Sequence, residues 1–99
     1  MKTGASKWSL SHNLHLKIYI LSRKIKLIWD FHGPEAEKIA EHHAIHLREF
    51  SQKEELPFLK AGTETVSESH SLAYITVSEE HMITYRDALI PKRAVLDRS

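Results

Sequence analysis

Cysteine is absent from this chain of 99 residues. Disulfide bonds, thiolate metal sites and cysteine nucleophiles are therefore excluded, and the domain has to be held together by packing. Glycine and proline are scarce, with three residues of each. Because the glycines are scattered, no glycine-rich loop is available to cradle phosphates. Serine is common, but no serine lies in the Gly-x-Ser-x-Gly motif of hydrolases.

Long hydrophobic runs are also missing. No stretch approaches the roughly 20 apolar residues that a membrane helix needs. The segment "IYIL" is too short for the hydrophobic region of a secretory signal, and no small-residue cleavage site follows it. We therefore expect a cytoplasmic protein without a membrane partner.

Acidic residues are missing from the start of the chain. All 13 acids lie at Asp30 or later, whereas the residues before Asp30 include five lysines and one arginine. Such a basic arm can bind nucleic acid, but the acidic remainder would repel phosphates and no glycine–aromatic ribonucleoprotein motif is present. These features disfavour nucleic acid as a partner. We expect residues 1–13 ("MKTGASKWSLSHN") to be a flexible basic extension and residues 14–99 to form a single α+β domain.

Alternation of apolar and polar residues predicts strands, and helix-favouring composition predicts two helices. One helix follows Gly33-Pro34 and continues to about residue 55, and the other begins after Ser78 and ends near Pro91. The predicted strands are 14–21, 25–32, 58–66 and 71–77. This order predicts a ferredoxin-like sandwich, with an antiparallel sheet of about four strands and two helices on one face. The chain ends soon after the second helix, so residues 14–21 are a candidate for the edge strand.

A sheet with both helices on one face leaves its other face in need of cover. Ile28 and Val66 would supply apolar side chains there. We therefore expect a homodimer that forms through the sheets, as in a dimeric α/β barrel.

The stretch "EHHAIHLREF" places three histidines in the first predicted helix. At about 100° per residue, His43 falls in the middle of the apolar stripe of this helix, His46 lies on its flank and His42 faces water. The stripe consists of Ala36, Ile39, Ala40, Leu47 and Phe50.

A metal site is the first hypothesis for these histidines. His42 and His46 are four residues apart, the spacing at which two histidines of a helix can share a zinc ion. The glutamate that follows the first histidine in zinc proteases is missing, so a third ligand would have to come from Asp30, His32 or His70. Histidine pairs at this spacing arise easily by chance, and we expect no metal and no other cofactor.

A catalytic pair is the second hypothesis. A buried imidazole needs a hydrogen-bond partner, and Asp30 lies near the end of the strand that precedes the helix. A histidine held by Asp30 would have the form of a general base with an orienting carboxylate. The alternatives are that His43 is an ordinary core residue and that Asp30 satisfies backbone groups at the strand–helix corner. The catalytic candidates are therefore His43, His46 and Asp30, and the ligand-binding candidates are His32, Trp29 and Tyr74.

Four runs, "HAIHLREF", "LKAGTE", "SLAYITVSEE" and "RDAL", resemble the YCII-related branch of the dimeric α/β-barrel superfamily. The resemblance covers residues 25–93, with Gly62-Thr63 where that family has Gly-Pro. It implies a ferredoxin-like dimer that acts on small molecules through a histidine–aspartate pair in a cleft. On matching positions, His43 or His46 would be the histidine, and Asp30 is the candidate aspartate.

Three functional hypotheses follow. The first is a homodimer with a histidine-lined cleft that binds or weakly converts a small organic molecule. The second is a non-catalytic dimeric interaction module in which the histidines are structural, and the third is a nucleic-acid binder that uses residues 1–26. A cavity bordered by His43 and His46 would favour the first hypothesis, and a filled sheet–helix interface would favour the second.

Overall fold

The computed structural model describes residues 23–97. In chain order they form β1 (Lys24–His32), α1 (Ala36–Glu54), β2 (Lys60–Ser67), β3 (His70–Ser78), α2 (Glu79–Leu89) and β4 (Arg93–Leu96). The strands expected at 25–32, 58–66 and 71–77 and both expected helices are present, with slightly shifted ends. The expected extension (1–13) and the expected strand at 14–21 lie outside the described residues.

The strands form one four-stranded sheet in the order β2-β3-β1-β4. Each strand is antiparallel to its neighbours, and β2 and β3 are joined as a hairpin. This strand order, combined with one helix after β1 and one after β3, is the ferredoxin-like topology. The expected fold class is confirmed.

Strand β4 was not expected from the sequence. It pairs with β1 from Ile25 opposite Leu96 to Ile28 opposite Arg93, so it occupies the edge for which residues 14–21 were the candidate. Backbone hydrogen bonds from Lys92 to Ile28 and from Asp97 to Lys24, both 2.9 Å, continue this pairing at its two ends. The sequence of β4, "RAVL", is short and does not alternate between apolar and polar residues, so β4 is recognisable only by its partner.

Both helices pack on one face of the sheet. Alternate residues of β1, including Leu27 and Trp29, point to the helices, whereas Ile28 and Asp30 point to the other face. The core on the helix side comprises Ile25, Leu27, Trp29, Ala40, Ala44, Leu47, Ala73, Ile75, Val77 and Tyr85. We call the opposite side, which carries Asp30, the open face. Within residues 23–97, no helix has the length and apolar character needed to cross a membrane.

A tight connection between β1 and α1 sets the position of the helix. Gly33 adopts a φ of 111°, a conformation that L side chains rarely adopt, and its N–H donates to the carbonyl of Ser69 at 2.9 Å. The carbonyl of Gly33 accepts a hydrogen bond of 3.1 Å from the N–H of Ala36, the first residue of α1. The helix therefore turns back directly over the end of β1, where the aromatic residues of that strand lie.

Candidate functional site: a histidine-lined cleft on helix α1

The buried side of α1 consists mainly of small residues: Ala36, Ala40, Ala44, Leu47 and Ser51. Ile39, which the sequence placed in the buried stripe, is 46% exposed. The other members of the expected stripe are buried or, in the case of Phe50, packed against the core. The prediction is therefore wrong only at Ile39 and in its centre, which is Ala44 rather than His43. Small side chains let the helix approach the sheet closely, and β1 supplies the large rings that fill the interface. His43 consequently lies at the border of the buried side.

His43 packs against two aromatic rings of β1. Its imidazole centroid lies 5.1 Å from that of Trp29 and 5.5 Å from that of Phe31, and both ring pairs are inclined. The ring is half-buried, and its Nε2 is buried and has no hydrogen-bond partner among residues 23–97. An unpaired buried polar atom costs free energy, so this nitrogen destabilises the folded chain.

The protonation of His43 follows from these surroundings. Burial lowers the pKa of His43, and the nearby His46 lowers it further, so the ring is neutral near pH 7. A neutral imidazole carries one N–H and one lone pair. Such a ring offers a ligand one donor and one acceptor without carrying a charge.

A cleft of about 350 Å³ opens beside this ring, lined by Lys38, Ile39, His42, His43 and His46. The cavity that would favour a small-molecule site is thus present, and it borders both expected histidines. His46 was expected at the edge of the buried stripe, but its side chain is 58% exposed and its Nδ1 lies 3.2 Å from Glu49 Oε1. His42 faces water as expected, yet it also lines the cleft, where its ring meets that of His46 edge-on at 4.6 Å.

Asp30 lies on the open face, away from this cleft. Its carboxylate accepts two hydrogen bonds from Arg93, with Nε to Oδ2 at 2.9 Å and Nη2 to Oδ1 at 3.0 Å. His70 Nε2 lies 2.8 Å from Oδ1 of the same carboxylate. The prediction that Asp30 pairs with His43 or His46 is therefore wrong. Trp29 and Phe31, which contact His43, flank Asp30 in β1, and neighbouring residues of a strand point to opposite faces.

A histidine–aspartate pair does exist, but its histidine is His70. The guanidinium of Arg93 holds the pKa of the Asp30 carboxyl well below its usual range, and the hydrogen bond from His70 acts in the same direction. His32, which is opposite His70 in the sheet register, stacks on the His70 ring at 4.3 Å. We call Asp30, His70, Arg93 and His32 the open-face network.

Sequence reasoning missed Arg93 and Lys38, and considered His70 only as a metal ligand. The involvement of His70 depends on the β1–β3 register, which places it opposite His32 and diagonal to Asp30. Arg93 reaches Asp30 because β4 pairs with β1. Lys38 is one turn before His42 on α1, a helical spacing that could have been found in the sequence.

The two remaining ligand-binding candidates lie on different faces. Trp29 is 5% exposed on the helix side, and its Nε1–H donates to the carbonyl of Leu89 at 2.9 Å. Tyr74 is on the open face, with Lys26 Nζ 4.5 Å from the centroid of its ring. The six expected site residues therefore form two groups. His43, His46 and Trp29 are on the helix side, and Asp30, His32 and Tyr74 are on the open face.

The metal hypothesis loses its expected third ligand. Asp30, His32 and His70 belong to the open-face network, on the far side of the sheet from His42 and His46. In the part of the chain that the structure describes, no group of three or more histidine, aspartate or glutamate side chains is arranged to hold a metal ion.

A larger cavity of about 510 Å³ lies at the end of α1, lined by Arg48, Ser51, Gln52, Leu56, Pro57 and Phe58. Two of the polar side chains that line this cavity already form hydrogen bonds within the protein. Arg48 donates to the carbonyl of Ala61 at 2.5 Å, and the Ser51 hydroxyl bonds that of Tyr85 at 2.6 Å. The histidine cleft offers an imidazole nitrogen and a lysine for a ligand, so we regard it as the better candidate site.

Comparison with protein-family models, with curated proteins and with solved structures finds no match to this chain. The resemblance to the YCII-related branch therefore stays a prediction. The residues of the cleft themselves have to support a functional proposal.

Proposed function

We propose that this chain is a cytoplasmic, homodimeric α+β protein that binds a small organic molecule in the histidine-lined cleft of α1. The observation that supports this function most directly is His43. Its ring packs against Trp29 and Phe31, which orients it, and the residue lines a cleft of about 350 Å³. Ligand pockets of about 300–1,000 Å³ are typical, so the cleft suits a small ligand.

Binding is better supported than catalysis. General-base catalysis by a histidine usually relies on a second group that orients the imidazole. No hydrogen-bond partner among residues 23–97 holds Nε2 of His43, and Asp30 is committed to Arg93 and His70 on the open face. The aromatic rings of β1 orient His43 by packing alone, which is sufficient for recognition of a ligand.

Replacement of His43 tests this function. His43→Gln keeps a polar side chain but removes the ring that contacts Trp29 and Phe31. His42 is unsuitable as a control because it lines the cleft, so His81→Gln on α2 takes that role. Ligands are found by saturation-transfer NMR with a mixture of neutral, acidic and basic aromatic fragments. Binding sites are then mapped by amide chemical shifts.

We expect fragments to shift amide signals around His43, and we expect His43→Gln, but not His81→Gln, to weaken that binding. Melting curves of both variants distinguish this result from a structural role. If His43→Gln lowers the melting temperature by several degrees and leaves fragment binding unchanged, the histidine is a core residue and the proposed function is wrong.

The homodimer is proposed through the open face. Both helices pack on the other side of the sheet. The centre of the open face is already buried within one chain, since Ile28 is 4% and Leu72 is 3% exposed, but Val95 at its β4 edge is 40% exposed. The proposed contact is therefore at this edge, where a second copy would cover Val95. Light scattering should give twice the chain mass for the native protein and a lower mass for Val95→Arg. A monomer at micromolar concentration would contradict this part of the proposal.

A further inference from the structure

The lining of the cleft is basic. Four of its five side chains carry nitrogen bases, namely Lys38, His42, His43 and His46, and none carries a carboxylate. Lys38 forms no salt bridge with another described residue, although acidic side chains are frequent along α1. Its ammonium therefore gives the cleft a positive charge that the described neighbours do not neutralise by contact.

One carboxylate approaches the lining from outside. Glu49 Oε1 lies 3.2 Å from His46 Nδ1, and both side chains are more than half exposed, at 64% and 58%. This contact occupies only one nitrogen of His46 and leaves Nε2 as a second polar group. An exposed ion pair of this kind is strongly screened by water, so it offsets little of the charge of Lys38.

The rest of the cleft is apolar. Ile39 is 46% exposed, and the His43 ring packs against those of Trp29 and Phe31. A small apolar body can therefore lie against Ile39 while a charged group reaches the basic side chains. A volume of about 350 Å³ is at the small end of the range for ligand pockets.

From this combination of charge and size we infer that the cleft takes a small organic monocarboxylate, with Lys38 as the charged partner of the carboxylate and Ile39 against its apolar part. This inference rests on the proposed function, since it names the ligand class of the same cleft. Lys38 supplies the cation for the carboxylate, and the imidazole nitrogens of the lining offer further hydrogen-bonding groups.

Benzoate and benzamide form a matched pair of probes, because they have similar size and shape and differ in charge. The full chain, labelled with ¹⁵N, is titrated with each compound near neutral pH at constant ionic strength. We expect benzoate to give saturable shifts at the amides of Ile39, His42 and His43, and benzamide to bind at least severalfold more weakly.

The matched variants are Lys38→Gln and Lys53→Gln, which remove one lysine each from the same helix. Both lysines are exposed, so neither change should disturb folding. Only Lys38 lines the cleft. Exposed ion pairs contribute about 0.2–1 kcal/mol, so Lys38→Gln should weaken benzoate roughly 1.4-fold to fivefold and leave benzamide unchanged. Lys53→Gln should leave both affinities unchanged.

The outcomes separate the two proposals. Equal affinity for benzoate and benzamide at the cleft would overturn the carboxylate inference and leave the small-molecule function standing. Equal effects of Lys38→Gln and Lys53→Gln would also overturn it, because the attraction would then come from overall charge. If no probe or aromatic fragment shifts the cleft amides, the proposed function itself fails.

Discussion

Replacement of Asp30 by asparagine removes the negative charge at the centre of the open-face network while keeping the size of the side chain. In the native protein this carboxylate accepts two hydrogen bonds from Arg93, and a third contact joins it to His70. Hydrogen bonds to charged groups contribute about 1.5–3 kcal/mol when buried, and exposed ion pairs contribute about 0.2–1 kcal/mol.

The partial exposure of these side chains places the contribution of the network to stability between those two ranges. The Asp30 side chain is 14% exposed, whereas those of His70 and Arg93 are 24% and 49% exposed. Water therefore screens the Arg93 interaction and can solvate its guanidinium after the substitution. We expect Asp30→Asn to lower the free energy of unfolding by about 1–2 kcal/mol near pH 7. At typical urea dependence, this change moves the unfolding midpoint by about 1 M.

The dependence on pH gives a second check on the same substitution. Because the pKa of Asp30 is lowered in the folded state, its stabilising contribution is complete above the unfolded-state pKa of about 3.9 and is lost as the pH falls below it. At about pH 3, protonation of Asp30 stabilises the unfolded state of the native protein by about 1 kcal/mol, whereas the asparagine variant has no carboxylate to protonate. The difference in free energy of unfolding between the two proteins should therefore become smaller towards low pH.

Urea unfolding followed by circular dichroism, near pH 7 and near pH 3, measures both effects. Asp87→Asn is the matched control, because Asp87 is paired with its neighbour Arg86 and is 65% exposed. We expect no measurable change for this control. Equal stability of Asp30→Asn and the native protein near neutrality, or a difference that stays constant towards low pH, would show that the network does not stabilise the fold.

Two further substitutions test other parts of the structure. Ile90 has a φ of 46° at the end of α2 and is 71% exposed, so Ile90→Asn should relieve left-handed strain and raise the free energy of unfolding by about 0.5–1 kcal/mol in a urea titration. A lowered midpoint would contradict this expectation. Tyr85 is fully buried, and its hydroxyl lies 2.6 Å from Ser51 Oγ, so Tyr85→Phe should cost about 1–2 kcal/mol. Combining it with Ser51→Ala should cost less than the sum of the two single changes, and strict additivity would count against a direct hydrogen bond.

The fold class was predictable from the sequence because its determinants are local. Alternation along 25–32 and 71–77 predicts strands, and Gly33-Pro34 and Pro91 limit the helices. The first and third strands in the structure differ from the predicted spans by only a residue or two at their ends. These patterns depend on residues close together in the chain, so no knowledge of long-range pairing was needed.

The candidate site was predictable only in part. The concentration of histidines in "EHHAIHLREF" indicated the segment that lines the cleft, and His43 and His46 are both there. The exposure of Ile39 was misjudged because its hydrophobicity favoured burial, whereas the helix buries the smaller Ala44 against the sheet. The choice between a small and a large residue at an interface depends on what the facing strand supplies, which a single helix does not reveal.

The sequence by itself determined the elements, their order and the segment that carries the histidines. Tertiary structure decided which of the chemically active side chains meet. The alternation of β1 separates Asp30 from His43, and the pairing of β1 with β3 and β4 brings His70 and Arg93 to Asp30 from positions 40 and 63 residues away. These pairings join strands that are far apart in the chain, so no connecting turn fixes their register and the packing of the whole sheet decides it.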